Sequence, residues 1–176
     1  MLKSLNSQLT AVMVTIVAVA LVGLAGCSQI PTNSSEPEGP TLLKRSTSSY
    51  KPTGDSLYTE TIMSAENGGT LALWDVELYF PPDALDSDTL ISIIIPDAEV
   101  FANHFGTNGL EFNRPVRVIM NYRDADLSGV NESTIKMAWY NERTRSWNII
   151  YCSLDIENKT VTAYVNHFSA YALISD

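Results

Sequence analysis

Few side chains in this sequence can do chemistry, and they are thinly spread. There are two cysteines and two histidines. Cys27 closes the run Leu24-Ala25-Gly26-Cys27. Cys152 ends the apolar stretch Ile149-Ile150-Tyr151-Cys152, where a thiol is expected to act as a small buried hydrophobe, not as a nucleophile. His167 stands two residues before Ser169, and His167-Phe168-Ser169 is the one segment that could carry chemistry. Neither histidine, His104 or His167, sits in a nucleophile-elbow or zincin pattern. The two histidines and Cys152 lack zinc-ligand spacing. Acids gather at Asp83, Asp86 and Asp88, and again at Asp124 and Asp126. Neither cluster follows the EF-hand order, so solvated turn carboxylates are expected, with calcium ligation as the alternative. No Gly-rich phosphate loop or dinucleotide fingerprint is present, and no cofactor or metal is expected.

Cys27 is positioned by what precedes it. Lys3 gives a short positive start, and Ala11 to Ala25 form an apolar stretch broken only by Thr15 and Gly23. Positive start, apolar run and small residues before a processing point make a secretory signal layout. The run is short for a bilayer span, which wants about 20 apolar residues. Leu24-Ala25-Gly26-Cys27 resembles the bacterial lipobox. That resemblance implies a diacylglycerol thioether on Cys27, cleavage between Gly26 and Cys27, and a lipoprotein signal peptide over residues 1–26. The lipid would tether the protein to a membrane without spanning it. Ser28, where an aspartate would mark inner-membrane retention, implies the outer membrane if the host has one. Two other readings fit the same run: a plain secretory peptide in which Cys27 is incidental, or an uncleaved anchor.

Removing residues 1–26 leaves 150 residues, enough for one domain and a linker, and takes the formal net charge from −9 to −10. Such an acidic chain is repelled by nucleic-acid phosphates, so no nucleic-acid partner is expected. With Cys27 acylated, Cys152 has no intramolecular partner, and the core must hold the fold without disulfides. Residues 27–54 read as a flexible tether. Half of them are Ser, Thr or Pro, and Pro31, Pro37, Pro40 and Pro52 break any helix. Lys44-Arg45 reads as an isolated pair in that tether.

Over 55–176 the apolar pattern has period two. Leu71 and Leu73 alternate with Ala72 and Trp74. Val76, Leu78 and Phe80 share a face, as do Ile91, Ile93 and Ile95, and Val116, Val118, Met120 and Tyr122. Ile135, Met137 and Trp139 continue the pattern, then Trp147, Ile149 and Tyr151, then Val161, Ala163 and Val165, and a last strand over 169–174. Phe101 to Phe105 reads as a helical turn or a loop. Turn signals separate the runs, among them Asn67-Gly68-Gly69, Pro81-Pro82-Asp83 and Glu157-Asn158-Lys159. The expected fold is all-β, an antiparallel β-sandwich.

Asn67-Gly68-Gly69-Thr70-Leu71 followed by Phe80-Pro81-Pro82-Asp83-Ala84-Leu85 resembles the signature of the ZU-five domain, named for zonula-occludens and Unc-five proteins. Asp83 stands where the family often has glycine. Phe112-Asn113-Arg114-Pro115-Val116 looks like the family's strand entry, and Trp147 after the Asn141–Arg145 turn fits a hairpin of exported bacterial relatives. Asn166-His167-Phe168-Ser169-Ala170-Tyr171-Ala172 is similar to their closing segment. The resemblance covers residues 57–175 and implies a scaffold or protein-binding role without catalysis. A similar His-x-Ser/Thr tripeptide cleaves itself in some related domains. By that resemblance His167 would act as base, and the Ser169 hydroxyl would attack the Phe168 carbonyl in an N-to-O acyl shift. Water would then hydrolyse the ester. Phe168 has the parity of a core residue, so structural use of the segment is the expectation.

The expected function is that of an exported, lipid-anchored protein with a non-catalytic binding or structural domain. Its partners would be the membrane, through Cys27, and a protein or glycan not specified by the sequence. Self-cleavage at Phe168-Ser169 and a surface carbohydrate- or calcium-binding module are the alternatives. Tyr79, Tyr140 and Tyr171 fall opposite the main apolar stripes and could line a partner surface.

Overall fold

The computed structural model describes residues 40–46 and 57–175. Twelve strands are assigned there: β1 (Thr41–Leu42), β2 (Leu57–Met63), β3 (Gly69–Leu73), β4 (Val76–Phe80), β5 (Thr89–Ile95), β6 (Ala102–Gly106), β7 (Glu111–Asn121), β8 (Lys136–Asn141), β9 (Ser146–Ile149), β10 (Cys152–Asp155), β11 (Thr160–His167) and β12 (Ala170–Ser175). They form two antiparallel sheets. The first has the order β2-β5-β6-β12-β8-β9, with β1 added against β12; the second runs β10-β11-β7-β4-β3. The fold is an all-β sandwich. Among the described residues the helical element is a single 3-10 turn, Glu132–Thr134.

The sandwich follows from the alternation. Val76, Leu78 and Phe80 are buried on β4, Val116, Val118 and Met120 on β7, and Val161, Ala163 and Val165 on β11. They meet Ile91 and Ile93 of β5 and Met137 of β8 from the other sheet in one apolar cluster. Each fully buried aliphatic side chain contributes about 1.5–3 kcal/mol. At the corner between β2 and β3, Gly68 has φ +66°, and a Cβ there would lie 2.1 Å from the Phe80 carbonyl oxygen. No side chain fits. Asp83 has φ +62°, the left-handed region that explains why glycine would serve at that position and why aspartate is tolerated.

Three expectations are corrected. Residues 41–46 are part of the sandwich, not tether. β1 pairs with β12 at Thr41↔Ser175 and Leu42↔Ile174, Leu43 is 1% exposed, and Arg45 is buried. The backbone N–H of Leu43 donates to Leu173, and its carbonyl accepts from Phe101. A short docking segment had its apolar pair diluted by the surrounding Ser, Thr and Pro. Phe101 to Phe105 is mostly strand: β6 pairs with β5 and β12. Third, Trp147 and Ile149 do not face the core. Tyr140 pairs with Trp147 across the β8–β9 hairpin, and Met137 and Trp139 already point inward, so Trp147 shares the outer face with Tyr140. Tyr151 beyond them is 96% exposed.

Arg45 fastens the N-terminal segment. Its guanidinium lies 4.3 Å from the Trp74 ring and 4.2 Å from the Phe101 ring. Nε and Nη2 both donate to Asp75 Oδ2, at 3.0 and 2.6 Å, and Nη1 donates to the Ala98 and Val100 carbonyls. Burial raises the Asp75 carboxyl above its ordinary pKa while the Arg45 charge opposes that.

Candidate functional site

Cys27 lies outside the described residues, as do the expected signal peptide over 1–26 and residues 28–39 and 47–54 of the expected tether. The segment His167-Phe168-Ser169 lies at the turn from β11 into β12, behind an irregularity in the β11–β7 ladder between Val165 and His167. Phe168 is a core anchor. Its ring centroid is 4.8 Å from that of Phe112, 5.6 Å from Phe105 and 5.9 Å from Phe80. Its N–H donates to the Leu110 carbonyl, and its own carbonyl accepts from Gly109. His167 packs edge-on to Trp139 at 5.0 Å, and its Nδ1 is 3.4 Å from the Phe168 carbonyl oxygen. Ser169 Oγ donates to the Tyr140 carbonyl at 2.8 Å, across to β8. Among the described residues no hydrogen bond joins the His167 ring to that hydroxyl. Base, nucleophile and carbonyl are adjacent in sequence, but the hydroxyl is spent on joining β12 to β8.

Tyr171 is also structural, contrary to its expected place on a partner surface. It is 1% exposed, stacks on Phe105 at 5.5 Å, and its hydroxyl donates to the His167 carbonyl at 2.7 Å. Both faces of β12 are covered, so period-two parity does not separate inside from outside there. Burial pushes the Tyr171 pKa up. Tyr122 is pushed up as well, by burial and then by its hydrogen bond to Glu132. The folded chain therefore keeps protons that an unfolded tyrosine releases above pH about 10. Stability from these groups is full below that pH and falls as pH rises through it. The melting temperature is expected to fall steeply above pH about 10, and less steeply in Tyr171→Phe. Thermal melts by circular dichroism from neutral to alkaline pH check this; an unchanged slope in the variant would contradict it.

On the outer face of the same strands lies a cleft of about 410 Å³. Its walls follow from register. Ala170 pairs with His104 across β12–β6, and Tyr140 pairs with Trp147 across β8–β9. Tyr171↔Trp139 brings Ala170 next to Tyr140, so His104, Ala170, Tyr140 and Trp147 form one row across four strands. The small Ala170 between larger neighbours makes the trough. Tyr140 and Trp147 pack with ring centroids 5.3 Å apart, tilted by 60°. Asn108 and Glu142 complete the rim, joined by Asn108 Nδ2 donating to Glu142 Oε1 at 3.0 Å. Sequence reasoning singled out Tyr140 and Trp147 separately but missed the cleft.

The other candidates are structural where they are described. Asp88 accepts from the Ala65 N–H and Asp86 from Asn113 Nδ2. Asp126 accepts from the Ser128 N–H. No group of three or more His, Cys, Asp or Glu able to hold a metal occurs among the described residues. Cys152 is half-buried against the core, and its Sγ accepts from the Met137 N–H at 3.3 Å. Tyr79 remains at the surface, on the second sheet, with the Arg117 guanidinium 5.0 Å from its ring. No family model and no curated protein matches the sequence.

Proposed function

We propose that the protein is an exported lipoprotein, anchored through an acylated Cys27, whose ZU-five-like sandwich is a non-catalytic binding module with its ligand surface at the cleft over Ala170. One contrast carries this reading. At His167-Phe168-Ser169 the side chains and backbone are engaged in packing and hydrogen bonds, while beside them the cleft's polar groups are mostly unengaged. The Trp147 indole N–H, the Tyr140 hydroxyl, the His104 ring and Glu142 Oε2 have no hydrogen-bond partner among the described residues. Groups left free around a concavity are available to a ligand. The anchor rests on the lipobox and the apolar run before it, and a lipid chain holds a protein at a membrane by about 0.8 kcal/mol per buried CH₂.

Self-cleavage is the second reading. It is favoured by the Phe168 carbonyl, which accepts from Gly109 N–H with the His167 ring nearby, an arrangement that polarises it. Two measurements separate the readings. Cys27→Ser is expected to leave an unprocessed chain without lipid label, while the parent chain carries label in the membrane fraction. The denatured mass of the parent is expected to show an intact Phe168–Ser169 bond. Equal labelling of both chains would remove the anchor. A fragment ending at Phe168, abolished by Ser169→Ala, would replace the binding module with an autoproteolytic one.

A further inference from the structure

We infer that the cleft over Ala170 takes a neutral carbohydrate, a pyranose laid against Trp147; this rests on the reading of the domain as a binding module. The size fits, since small-ligand sites run from about 300 to 1,000 Å³. The chemistry of the lining narrows the class. No Lys or Arg lines the cleft, and Glu142 brings a carboxylate to its rim, which disfavours an anion. An apolar ligand would strip water from Trp147, Tyr140, His104 and Glu142 without replacing its hydrogen bonds. A cation is held best between aromatic faces set around a gap. Here Tyr140 and Trp147 are packed on each other at 5.3 Å and make one continuous wall.

What remains is a molecule with an apolar face and a hydroxylated edge. A pyranose has both. Its C–H face can lie on the Trp147 and Tyr140 rings, and each hydroxyl both donates and accepts. The free groups offer both partners: the indole N–H donates, Glu142 Oε2 accepts, and the Tyr140 hydroxyl and the imidazole do either. The Asn108–Glu142 bond fixes the rim before a ligand arrives, so little ordering is needed on binding. The platform stands on paired strands, with Ser169 Oγ bonded to the Tyr140 carbonyl beneath it.

The test uses the full chain labelled with 5-fluorotryptophan, in a polyoxyethylene detergent free of sugar headgroups. Trp74, Trp139 and Trp147 give three fluorine signals. The probes are methyl glucoside, N-acetylglucosamine, a linear trisaccharide of each, and tetramethylammonium. The Trp147 signal is expected to move saturably with at least one saccharide while the Trp74 signal stays. Asn108→Ala and Glu142→Gln, both on the exposed rim, are expected to weaken that binding about tenfold without lowering the melting temperature. Trp147→Ala is expected to abolish it, read by saturation transfer to the sugar. No response to any saccharide, or a response to tetramethylammonium alone, would overturn the inference. Failure of the underlying reading shows separately, as an unlipidated or cleaved chain in the mass measurements.

Discussion

Replacing Phe168 by alanine is expected to cost about 3–5 kcal/mol, the range for emptying a fully buried phenylalanine site. The ring touches three other aromatic rings, Phe80, Phe105 and Phe112, which come from both sheets. The void would open where the two sheets meet, and the surrounding backbone has little freedom to close it. Leu110 and Gly109 hold the Phe168 main chain from one side, and Ser169 holds β8 from the other. The melting temperature is expected to fall by at least roughly 10 °C. Phe168→Leu should lose much less, because it keeps most of the volume. A Phe168→Ala melt within about 2 °C of the parent would show that the aromatic cluster is dispensable.

The second large effect is expected at Arg45. Arg45→Met removes the cation beside a carboxylate whose side chain is 11% exposed, and Asp75 Oδ1 already has no partner among the described residues. Breaking a buried pair from one side costs about 3–5 kcal/mol, because the remaining charge is uncompensated. Arg45→Met with Asp75→Leu should recover most of that loss, since an apolar pair of similar size leaves no charge behind. The single variant also has a pH signature. Without Arg45, its two lowering influences on Asp75 are gone, and burial, the largest cause, raises the carboxyl pKa further. The folded variant then binds a proton that the unfolded chain releases, so its deficit grows as pH rises above the ordinary carboxylate range. Urea melts of both variants at pH 5 and pH 8 check this. Equal deficits at the two pH values, or a double variant no better than the single, would contradict the pairing.

The two sheets are legible in the sequence where strands lie inside a sheet with one face on the core. Val76-Leu78-Phe80 and Val116-Val118-Met120 are such cases, and their alternation maps directly onto burial. Edges are not legible in this way. On β2 the outward residues include Tyr58 and Ile62, both exposed, while Thr59 and Thr61 point inward beside Leu57 and Met63, so each face mixes apolar and polar residues. On β9 the hairpin register decides the face and overrides apolarity. Phe168 is legible as a core residue by parity. Its neighbour Tyr171 is not, because β12 is covered on both sides. The cleft could not be read at all, since His104, Ala170, Tyr140 and Trp147 are brought into one row only by the pairing of β6, β12, β8 and β9.

The early entry of the chain into the sandwich has a mechanical consequence. With the anchor proposed at Cys27, the link to the sandwich is counted to Pro40, where the described residues begin, not to Gly54. Thirteen residues span at most about 45 Å, so under that proposal the domain would lie within this distance of its attachment point. Tension on that link would reach β1 first, and β1 is held to β12 by only a two-residue register. Peeling would then run up against Arg45, seated between Trp74 and Phe101 and tied to Asp75. The link would lengthen by a few residues under load and stop there, leaving Phe168 and the rest of the core undisturbed.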